Sequence, residues 1–442
     1  MKAFRASASL GSAVPGRILR PHHPPAPSSP FRASSGRLVR RGVHAGGHLP
    51  LSTRSFALGS RFYSIDHKGP KPPPFAFAFD IDGVLLHVTK PIPGAPETLA
   101  YLQKHNIPFI LLTNGGGKHE TERVADLSSR LGVKLTTDNF IQSHTPFQEL
   151  VHHYQSHSHN YQEGLRDKNI LVTGSDAAKC RKIAEQYGFK HVIIPADILA
   201  AHPTIWPYEP LMEEVYAKAA RPLPSRDPKI DAIFVFNDPR DWALDIQIIL
   251  DLLMSKEGVL GTYSAKNGRK DLPNFGWQRD GQPPLFFSNP DLFWSAGYKL
   301  PRFGQGAFQA AVAGVWNEVT GGYAELERTV IGKPHGHTYG YAERVLNAHR
   351  AKVLGVDPDK LEPLQRVYMV GDNPASDIRG ANEYQSPVGT SWTSVLVRTG
   401  VWSPERGGEP AYTPKVIVDD VRKAVEWALQ QEGWGGSSFK GA

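Results

Sequence analysis

Apolar residues along this chain recur in short runs that alternate with segments of helical period. Apolar runs at residues 75–79 and 108–112 are each followed by an amphipathic segment, at 97–104 and at 120–131. Strand-like runs that alternate with helical patterns predict βαβ units, and βαβ units build a parallel sheet. The sequence therefore predicts an α/β core that begins near residue 75.

A second unit of the same type interrupts this core. Strand-like runs at 170–174, 231–236 and 284–288 alternate there with helical patterns at 177–187 and 244–254. Two intact α/β units agree with a length of 442 residues, which exceeds one ordinary domain. The pattern predicts a linker at 64–74, a first core part at 75–146, an inserted unit at 147–291, a second core part at 292–432 and a flexible tail at 433–442.

Two stretches of the inserted unit lack a clear period. Residues 195–228 are rich in proline and aromatic residues, and residues 261–283 are polar. Long loops of this kind are often functional, but they are also common as surface insertions. Both interpretations of these stretches remain open.

The first apolar run ends in two carboxylates, Asp80 and Asp82, which are followed by Gly83. In an extended segment residues i and i+2 point the same way, so both carboxylates can face one small volume at the carboxyl end of the strand. Open α/β sheets bind their ligands at this edge. A plain Asp–Gly turn is the alternative interpretation of the motif taken alone.

Three later segments add chemistry to further strand ends. The run at 108–112 leads into Thr113, Asn114 and Gly115, a hydroxyl, an amide and flexible backbone that suit a phosphate group. A short β-branched run ends in Lys333, between a glycine and a proline. The run at 367–370 leads into two more carboxylates, Asp372 and Asp377.

These four motifs, in this order, resemble those of the haloacid dehalogenase (HAD) superfamily of phosphatases. The likeness extends from about residue 71 to about residue 429 and implies a Rossmann-like parallel-sheet core with a large inserted α/β cap. The triplet 332–334 and the segment Ser-Asn-Pro-Asp at 288–291 resemble the class IIA branch. The amino-terminal extension and the long cap are most similar to the mitochondrial group named for the cat eye syndrome critical region.

The resemblance implies a role for each motif residue. Asp80 would be the nucleophile that forms an aspartyl-phosphate, and Asp82 would be the general acid and base. Lys333 would neutralise the nucleophile and the phosphoryl charge. Thr113 and the amides of Asn114 and Gly115 would hold the phosphoryl oxygens.

Several carboxylates around one phosphate imply a hard cation with oxygen ligands, and Mg²⁺ fits this description. Its expected protein ligands are the side chain of Asp80, the backbone carbonyl of Asp82 and the side chain of Asp372. Asp377 would orient Lys333 or a metal-bound water. The alternative for Asp377 is a helix cap, and both roles could hold.

Substrate choice is assigned to the cap, where the resemblance points to the segment 237–242. Arg240 could pair with a second anionic group, and Trp242 could stack or fill space. A plain turn before a helix that is capped by Asp241 is an equal alternative. Trp294 could line the same opening or merely pack.

The expected function is hydrolysis of a small phosphorylated metabolite in the mitochondrial matrix. One alternative is a non-catalytic protein of this fold that binds phosphorylated metabolites or lipid headgroups, and another is a phosphotransferase. A homodimer formed through the cap is a further expectation. The sequence does not identify the physiological substrate.

Charge is distributed unevenly along the chain. The formal net charge is +7, but ten cations and no acidic residue precede Asp66, so removal of that stretch would leave −3. Arginine-rich, serine-rich and acid-free composition is typical of a mitochondrial transit peptide, which we place at residues 1–63. The basicity therefore gives no reason to expect a nucleic-acid partner, although a retained basic arm that binds RNA or membrane is an alternative.

The remaining composition excludes some classes of site. One cysteine, Cys180, allows neither an intramolecular disulfide nor a multi-cysteine zinc site, and its helical surroundings predict a packed core residue. No uninterrupted apolar run reaches the roughly 18 residues that a transmembrane helix needs. We therefore expect no transmembrane segment and a soluble mature protein.

Processing should remove the basic arm after Tyr63, because Arg61-Phe62-Tyr63-Ser64 resembles a site cut by the matrix protease. Amino-terminal sequencing of the protein from isolated mitochondria should find Ser64 first. A mature protein that begins at Met1 and fractionates with the cytosol would contradict the predicted location.

Overall fold

A computed structural model describes residues 72–153, 164–174, 177–294 and 296–435 of the chain. The predicted transit peptide, most of the predicted linker and the last part of the predicted tail lie outside the described residues. Within them, no helix combines the length and the apolar character that crossing a bilayer requires.

The strands and helices alternate along most of the chain. The strands are β1 (Phe75–Phe79), β2 (Leu86–His87), β3 (Lys90–Pro91), β4 (Phe109–Leu112), β5 (Phe140–Ile141), β6 (Asn169–Thr173), β7 (His191–Ile193), β8 (Ala232–Val235), β9 (Leu285–Phe287), β10 (Phe293–Trp294), β11 (Arg302–Phe303), β12 (Thr329–Val330), β13 (Arg366–Gly371), β14 (Ser391–Val397) and β15 (Val416–Val418). The helices are α1 (Ala95–Lys104), α2 (Glu120–Leu131), α3 (Ala177–Tyr187), α4 (Pro195–Ala201), α5 (Glu213–Ala219), α6 (Trp242–Met254), α7 (Gln305–Val319), α8 (Gly336–Leu354), α9 (Arg379–Glu383), α10 (Pro404–Gly407) and α11 (Val421–Gln431).

The first sheet is parallel throughout and has the strand order β15-β14-β13-β1-β4-β5. In the central pairs, Phe79 lies opposite Val370 of β13 on one side and opposite Leu111 of β4 on the other. This register brings the carboxyl ends of β1, β4 and β13 to one edge of the sheet. The prediction of a parallel α/β core is confirmed.

The sequence of β1 explains how helices cover both faces of this sheet. The three phenylalanines of β1 face one side and belong to a core cluster with apolar residues of α1, α2 and α11. Ala76 and Ala78 face the other side, where their small side chains accommodate Tyr339, Ala342 and Leu346 of α8. The large and small residues alternate because successive strand side chains point to opposite faces.

The second sheet is also parallel and has the order β12-β9-β8-β6-β7. Helix α3 covers one face, where the buried Cys180 packs as predicted among apolar residues that include Phe234. Helices α4, α6 and α7 cover the other face. The inserted unit is therefore a complete α/β layer structure of its own.

The second sheet extends further along the chain than the predicted boundary at residue 291. Strand β12 pairs with β9, and Phe308, Val312 and Trp316 of α7 pack into the core of the inserted unit. These residues were expected in the second core part, because a helix followed by a two-residue strand does not indicate which sheet the strand joins. The first sheet resumes at β13.

The prediction for residues 195–228 is wrong in one respect, because this stretch contains helices α4 and α5. Asp197 stabilises the start of α4 by accepting a hydrogen bond from the backbone N–H of Ile194 at 3.0 Å. The apolar side chains of Ile198 and Tyr216 are buried in the core of the inserted unit. Residues 261–283 are irregular apart from a short 3₁₀ turn at Pro273–Gly276.

Three further sequence patterns can be compared with the structure. The pattern at 147–154 favours a helix, but the structure has a 3₁₀ segment at Thr145–Val151, and Tyr154 lies outside the described residues. The pattern at 341–349 predicts a helix, and α8 extends beyond it at both ends. Asp419 and Asp420 both precede α11, and either could cap it; the side chain of Asp420 accepts the backbone N–H of Lys423, whereas Asp419 forms an ion pair with Arg398.

Candidate active site

A buried lysine lies at the centre of the carboxylate-rich edge of the first sheet. The side chain of Lys333 is 1% exposed, and its Nζ lies 2.9 Å from Oδ1 of Asp80 and 2.7 Å from Oδ1 of Asp377. Burial alone would lower the pKa of Lys333, but the charges of Asp377 and Asp80 outweigh burial and raise it. The ammonium is therefore protonated and compensates part of the local negative charge.

Asp377 organises the loop that follows β13. Its Oδ2 accepts hydrogen bonds from the backbone N–H groups of Asp372 at 3.1 Å and of Asn373 at 3.0 Å. Burial raises the pKa of Asp377 to about 6, against the opposing charge of Lys333. The contact with Lys333 agrees with the predicted orienting role, and Asp377 lies inside a helical turn at Pro374–Ile378 rather than at its cap.

Asp372 occupies a tight position between backbone segments. Its Oδ2 accepts a hydrogen bond from the backbone N–H of Val401 at 2.6 Å, and burial together with the charge of Asp80 raises its pKa well above the ordinary value. A side chain at Gly83 would collide with this carboxylate, and Gly83 also has a φ of +90°. Glycine therefore satisfies both the close approach and the backbone conformation that this turn requires.

The donor set of this cluster suits a divalent cation. Asp80, Asp372 and Asp377 each offer one carboxylate oxygen, and the three oxygens lie within 4.8 Å of one another. Hard cations such as Mg²⁺ prefer oxygen ligands of this kind. The cluster contains Asp377, which was expected to orient other groups, and it does not contain the side chain of Asp82. The expected ligand set of Asp80, the Asp82 carbonyl and Asp372 remains a prediction.

Asp82 lies next to the glycine-rich loop, which is formed by residues 115–117 after β4. A Cβ atom placed on Gly115 would lie 3.8 Å from Oδ2 of Asp82, so the two segments face each other. Desolvation by the surrounding protein and the charge of Asp80 raise the pKa of Asp82. The side chain nevertheless remains open to solvent, so a proton on it can exchange with water.

The side chain of Asn114 has a structural role that the sequence analysis missed. Its Oδ1 accepts the backbone N–H of Lys333 at 2.8 Å, while its Nδ2 donates to the carbonyl of Lys333 at 2.8 Å and to Asp291 Oδ2 at 3.0 Å. These bonds hold the loop at residues 332–334, the lysine loop, against the end of β4. The Asn114 side chain is thereby committed to protein contacts, and only its backbone N–H is left for the predicted phosphate contact.

Thr113 and Gly115 are already in contact with each other. The backbone N–H of Gly115 donates to Oγ1 of Thr113 at 3.0 Å, and the backbone N–H of Thr113 donates to the carbonyl of Ile141. Both residues lie directly after β4, at the edge that carries Asp80. Their predicted role in phosphate binding is compatible with this position and remains a prediction.

Asp291 is a further acidic residue at the site, and the sequence analysis gave it no role. Burial raises its pKa to about 7, and the charges of Asp377 and Asp80 also raise it, against the hydrogen bond from Asn114 and the charge of Lys333. It follows β9 of the inserted unit. The position of Asp291 in the Ser-Asn-Pro-Asp motif was the signal available in the sequence.

The predicted specificity residues have different surroundings. Trp242 donates its Nε1–H to the carbonyl of Pro239 at 2.9 Å, and its ring packs near the rings of Phe303 and Phe308 at 6.2 and 5.6 Å. It therefore fills space, as one of its two predicted roles allowed. Arg240 is exposed, and Asp241 caps α6 by accepting the backbone N–H of Leu244.

Comparison with known proteins agrees with this geometry. Residues 77–190 match the family described as haloacid dehalogenase-like hydrolase, and residues 330–424 match a second family of HAD-like hydrolases. The two matched regions contain Asp80, Asp82, Lys333, Asp372, Asp377 and residues 113–115, but not the Ser-Asn-Pro-Asp segment at 288–291. The segment between them, 191–329, corresponds to most of the inserted unit.

Two curated relatives are similar over most of this chain. The mitochondrial hydrolase YKR070W of Saccharomyces cerevisiae is 38% identical over 390 residues, which are 85% of this chain and 99% of that protein. A cardiolipin synthase (CMP-forming) / mitochondrial hydrolase fusion protein of Schizosaccharomyces pombe is 43% identical over 357 residues. The match covers 80% of this chain and 53% of the fusion protein, so this chain corresponds to about half of that relative.

A solved structure is also similar, though more distantly. It is that of the hypothetical protein PH1952 from Pyrococcus horikoshii OT3, with a TM-score of 0.48 and 19% identity. The match covers 80% of this chain and 99% of that one.

Replacing Asn114 by alanine should disturb the site through the lysine loop, because both hydrogen bonds to Lys333 and the one to Asp291 are lost. We expect a loss of roughly 2–4 kcal/mol of stability and at least about a tenfold fall in kcat, although the backbone N–H at position 114 is retained. Chemical denaturation and steady-state kinetics measure the two effects.

The matched control for this variant is Asn169→Ala, which removes one amide bond to the carbonyl of Lys229 in the inserted unit. This control should leave kcat within about twofold of the wild type, because its lost bond is at an exposed position away from the carboxylates. Equal kinetics of the Asn114→Ala variant and the wild type would contradict the assigned role of the Asn114 side chain.

Proposed function

This chain belongs to the haloacid dehalogenase-like hydrolase family, and we propose that it is a Mg²⁺-dependent phosphatase of a small phosphomonoester in mitochondria. The observation that carries the proposal is the contact of Asp80, at the end of the central strand β1, with the buried ammonium of Lys333. Asp82 follows two residues later. A carboxylate nucleophile, a fixed cation and a neighbouring proton donor are the groups that phosphoryl transfer through an aspartyl-phosphate requires.

In the first step, a carboxylate oxygen of Asp80 attacks the phosphorus atom while the bond from phosphorus to the leaving oxygen breaks. Asp82 gives its proton to that leaving oxygen, and the raised pKa of Asp82 favours the protonated form that this step needs. Lys333 remains paired with Asp377 throughout, so it keeps its position as charge develops on the phosphoryl oxygens.

In the second step, water hydrolyses the aspartyl-phosphate. The carboxylate of Asp82 takes a proton from the water, and the water oxygen bonds to phosphorus as the bond to Asp80 breaks. This returns the Asp80 carboxylate and releases phosphate. One residue can serve both steps because the second requires the reverse of the proton transfer that occurred in the first.

Binding of the phosphoryl group is assigned to the loop after β4. The hydroxyl of Thr113 and the backbone N–H groups of Asn114 and Gly115 would donate to its oxygens. The N–H of Gly115 donates to the hydroxyl of Thr113, so a phosphoryl oxygen that accepts from this N–H would replace that contact. Backbone donors suit an anion because they carry no mobile side chain that must be ordered.

Mg²⁺ would be held by the side chains of Asp80 and Asp372 and by the backbone carbonyl of Asp82, with Asp377 orienting the neighbouring groups. When bound, the ion would offset the negative charge that the carboxylates and the phosphoryl group bring together. The inserted unit would act as a cap that selects the substrate, and a homodimer through this cap remains a prediction. The names of the two relatives support a mitochondrial location, and the matrix is our more specific proposal.

A non-catalytic role and a phosphotransferase activity are the alternatives. A non-catalytic protein of this fold is expected to lack one or more of the reacting side chains. This chain has all four, Asp80, Asp82, Lys333 and Asp372. The pairing of Asp80 with Lys333 also gives the nucleophile the neutralising partner that catalysis needs. These features favour an active hydrolase.

A lipid-linked phosphomonoester is a second candidate substrate. Residues 292–294 and 298–303 contain six apolar side chains that are 46–64% exposed, together with Lys299 and Arg302 and no acidic residue. The ring of Phe303 lies 6.2 Å from that of Trp242, so this surface adjoins the segment 237–242. Aromatic and cationic side chains together suit an anionic phospholipid surface, and the fission-yeast relative combines its hydrolase part with a cardiolipin synthase.

A panel of phosphomonoesters, assayed with the protein from Ser64 onward, tests the proposal and compares the two candidates. Soluble metabolites and a lipid-linked phosphomonoester in phosphatidylglycerol vesicles are offered with and without Mg²⁺. We expect hydrolysis that depends on the ion. Preference for soluble esters without vesicle binding would exclude the lipid candidate, and dimerisation that buries the exposed aromatic residues would assign that surface to a second copy.

Replacing Asp80 by asparagine should abolish turnover, because an amide is a poor nucleophile. The fold should survive, because Lys333 keeps its ion pair with Asp377 and the repulsion among the carboxylates is reduced. Phosphate release and thermal unfolding measure the two outcomes. Asp419→Asn is the control, because it removes an exposed carboxylate that pairs with Arg398 and should keep the activity within about twofold. Wild-type turnover by the Asp80→Asn protein would refute the mechanism.

Replacing Arg240 by alanine should raise the KM for the physiological substrate by about tenfold to a hundredfold, if a charge-assisted contact worth roughly 1.5–3 kcal/mol is lost. A small generic ester that cannot reach the inserted unit should be hydrolysed almost unchanged. Steady-state kinetics on both substrates make the comparison. An equal rise in KM for both substrates would mean that Arg240 supports the fold. An unchanged KM for both would indicate that the specificity contacts lie elsewhere, at residues 261–283.

A further inference from the structure

A row of buried, hydrogen-bonded polar side chains connects the first core part to the inserted unit beside the glycine-rich loop. It consists of Glu120 at the start of α2, His144 after β5 and Tyr187 at the end of α3. His144 is fully buried, and Glu120 and Tyr187 are 4% and 8% exposed. Polar side chains that are this deeply buried need hydrogen-bond partners within the protein, and these three make two such contacts with one another.

The contacts of His144 with Gly117 and Tyr187 indicate which ring nitrogen carries the proton. The backbone N–H of Gly117 donates to Nε2 of His144 at 3.4 Å, so Nε2 carries a lone pair. The ring proton of a neutral histidine is then on Nδ1, which lies 2.6 Å from the hydroxyl of Tyr187. The hydroxyl of Tyr187 in turn donates to Oε1 of Glu120 at 2.5 Å.

The titration behaviour of the three groups agrees with this assignment. Burial lowers the pKa of His144 to about 4, so the ring is neutral near neutral pH. Burial acts to raise the pKa of Glu120, but the positive charge that His144 carries when protonated and the hydroxyl donors of Thr145 and Tyr187 outweigh burial and lower the pKa. Burial raises the pKa of Tyr187, which therefore keeps its proton as a donor.

The segment that carries His144 also supports the glycine-rich loop by other contacts. The side chain of Gln142 donates to the carbonyl of Lys118 at 2.7 Å, and the backbone N–H of Ser143 donates to the carbonyl of Gly115 at 3.1 Å. A Cβ atom on Gly116 would lie 2.7 Å from Oγ of Ser143 and 3.0 Å from Cδ2 of His144. The loop therefore rests directly on the histidine ring.

The inserted unit contributes to the same contact through its aromatic residues. Phe236, which follows β8, stacks on the ring of His144 with centroids 5.3 Å apart and on the ring of Tyr187 with centroids 6.0 Å apart. Phe236 also directly precedes the segment 237–242. The row of hydrogen-bonded groups from Glu120 to Gly117 thus includes a tyrosine that belongs to the inserted unit.

We propose that His144 and Tyr187 are positioning residues for the glycine-rich loop: Tyr187 fixes the tautomer of His144, and His144 thereby holds Gly117 and the adjacent donors at Thr113 and Gly115 in place for the phosphoryl group. This inference rests on the proposed phosphatase function. It makes the affinity of the core for phosphate depend on a hydroxyl that the inserted unit supplies, although neither residue touches the substrate.

Tyr187→Phe tests the inference, because it keeps the buried ring and removes only the hydroxyl. Inhibition by inorganic phosphate, measured against a small generic phosphoester, should weaken by about tenfold, since the hydroxyl's contacts with Glu120 and His144 are lost and Gly117 is held less firmly. The matched control is Tyr368→Phe, which removes a buried tyrosine hydroxyl that donates to Glu432 at 2.7 Å away from the loop. The control should leave phosphate inhibition within about twofold.

The tautomer itself gives a readout that does not require turnover. In ¹⁵N-labelled wild-type protein, nitrogen NMR of the His144 ring should show the proton on Nδ1, and the Tyr187→Phe variant should shift the ring toward the Nε2-protonated form. Calorimetry measures the affinity of the wild type and the variant for inorganic phosphate directly. A wild type that binds phosphate as expected but hydrolyses no ester would refute the proposed function while leaving this inference intact.

A pair of amide substitutions separates positioning from simple support of the fold. In His144→Gln the amide can reach the place of Nε2 and still accept from Gly117, whereas in His144→Asn it reaches only the place of Nδ1. We expect His144→Gln to keep phosphate affinity within about threefold and His144→Asn to lose about tenfold. Equal phosphate affinity of the two variants, or a Tyr187→Phe variant that differs from wild type only in melting temperature, would overturn the inference.

Discussion

The ion pair between the buried Lys333 and two carboxylates is the interaction on which this site depends. A buried ammonium would be strongly unfavourable without partners, and Asp80 and Asp377 would repel each other without the ammonium. Each group is therefore held where it is by the other two. Because Lys333 follows β12 of the second sheet while Asp80 follows β1 of the first, this ion pair also joins the two α/β units.

Much of the site could be predicted from the sequence because parallel strands place their carboxyl ends at one edge. The apolar runs that become β1, β4 and β13 are unambiguous, so the proximity of Asp80, Thr113 and Asp372 follows from the sheet alone. The membership of α7 and β12 did not follow, because a two-residue strand carries no information about its neighbours. That pairing is decided by contacts with β9 that are distant in sequence.

Side-chain direction explains the remaining differences. The sequence indicated that Asn114 lies at the site, but its amide could equally face a ligand or the protein, and it bonds to Lys333 and Asp291. Trp242 is similar, because its place at the first turn of α6 was recognisable whereas its packing against Phe308 depends on a helix about sixty residues later. Polar and aromatic residues at strand ends are thus easier to locate than to orient.

The balance of charge at the sheet edge connects the ion pair to the chemistry. Five carboxylates, those of Asp80, Asp82, Asp291, Asp372 and Asp377, lie at a site with one buried ammonium. Burial is the largest cause of the raised pKa values of the last four, and the negative charge of neighbouring carboxylates adds to it. A phosphoryl group would add further negative charge, which a second cation can offset. Burial and the charge of Asp80 also keep a proton on Asp82 more readily than on an isolated aspartate. One electrostatic feature therefore favours both a divalent ion and a carboxylic acid donor, and these are the two requirements of phosphoester cleavage that the lysine alone does not meet.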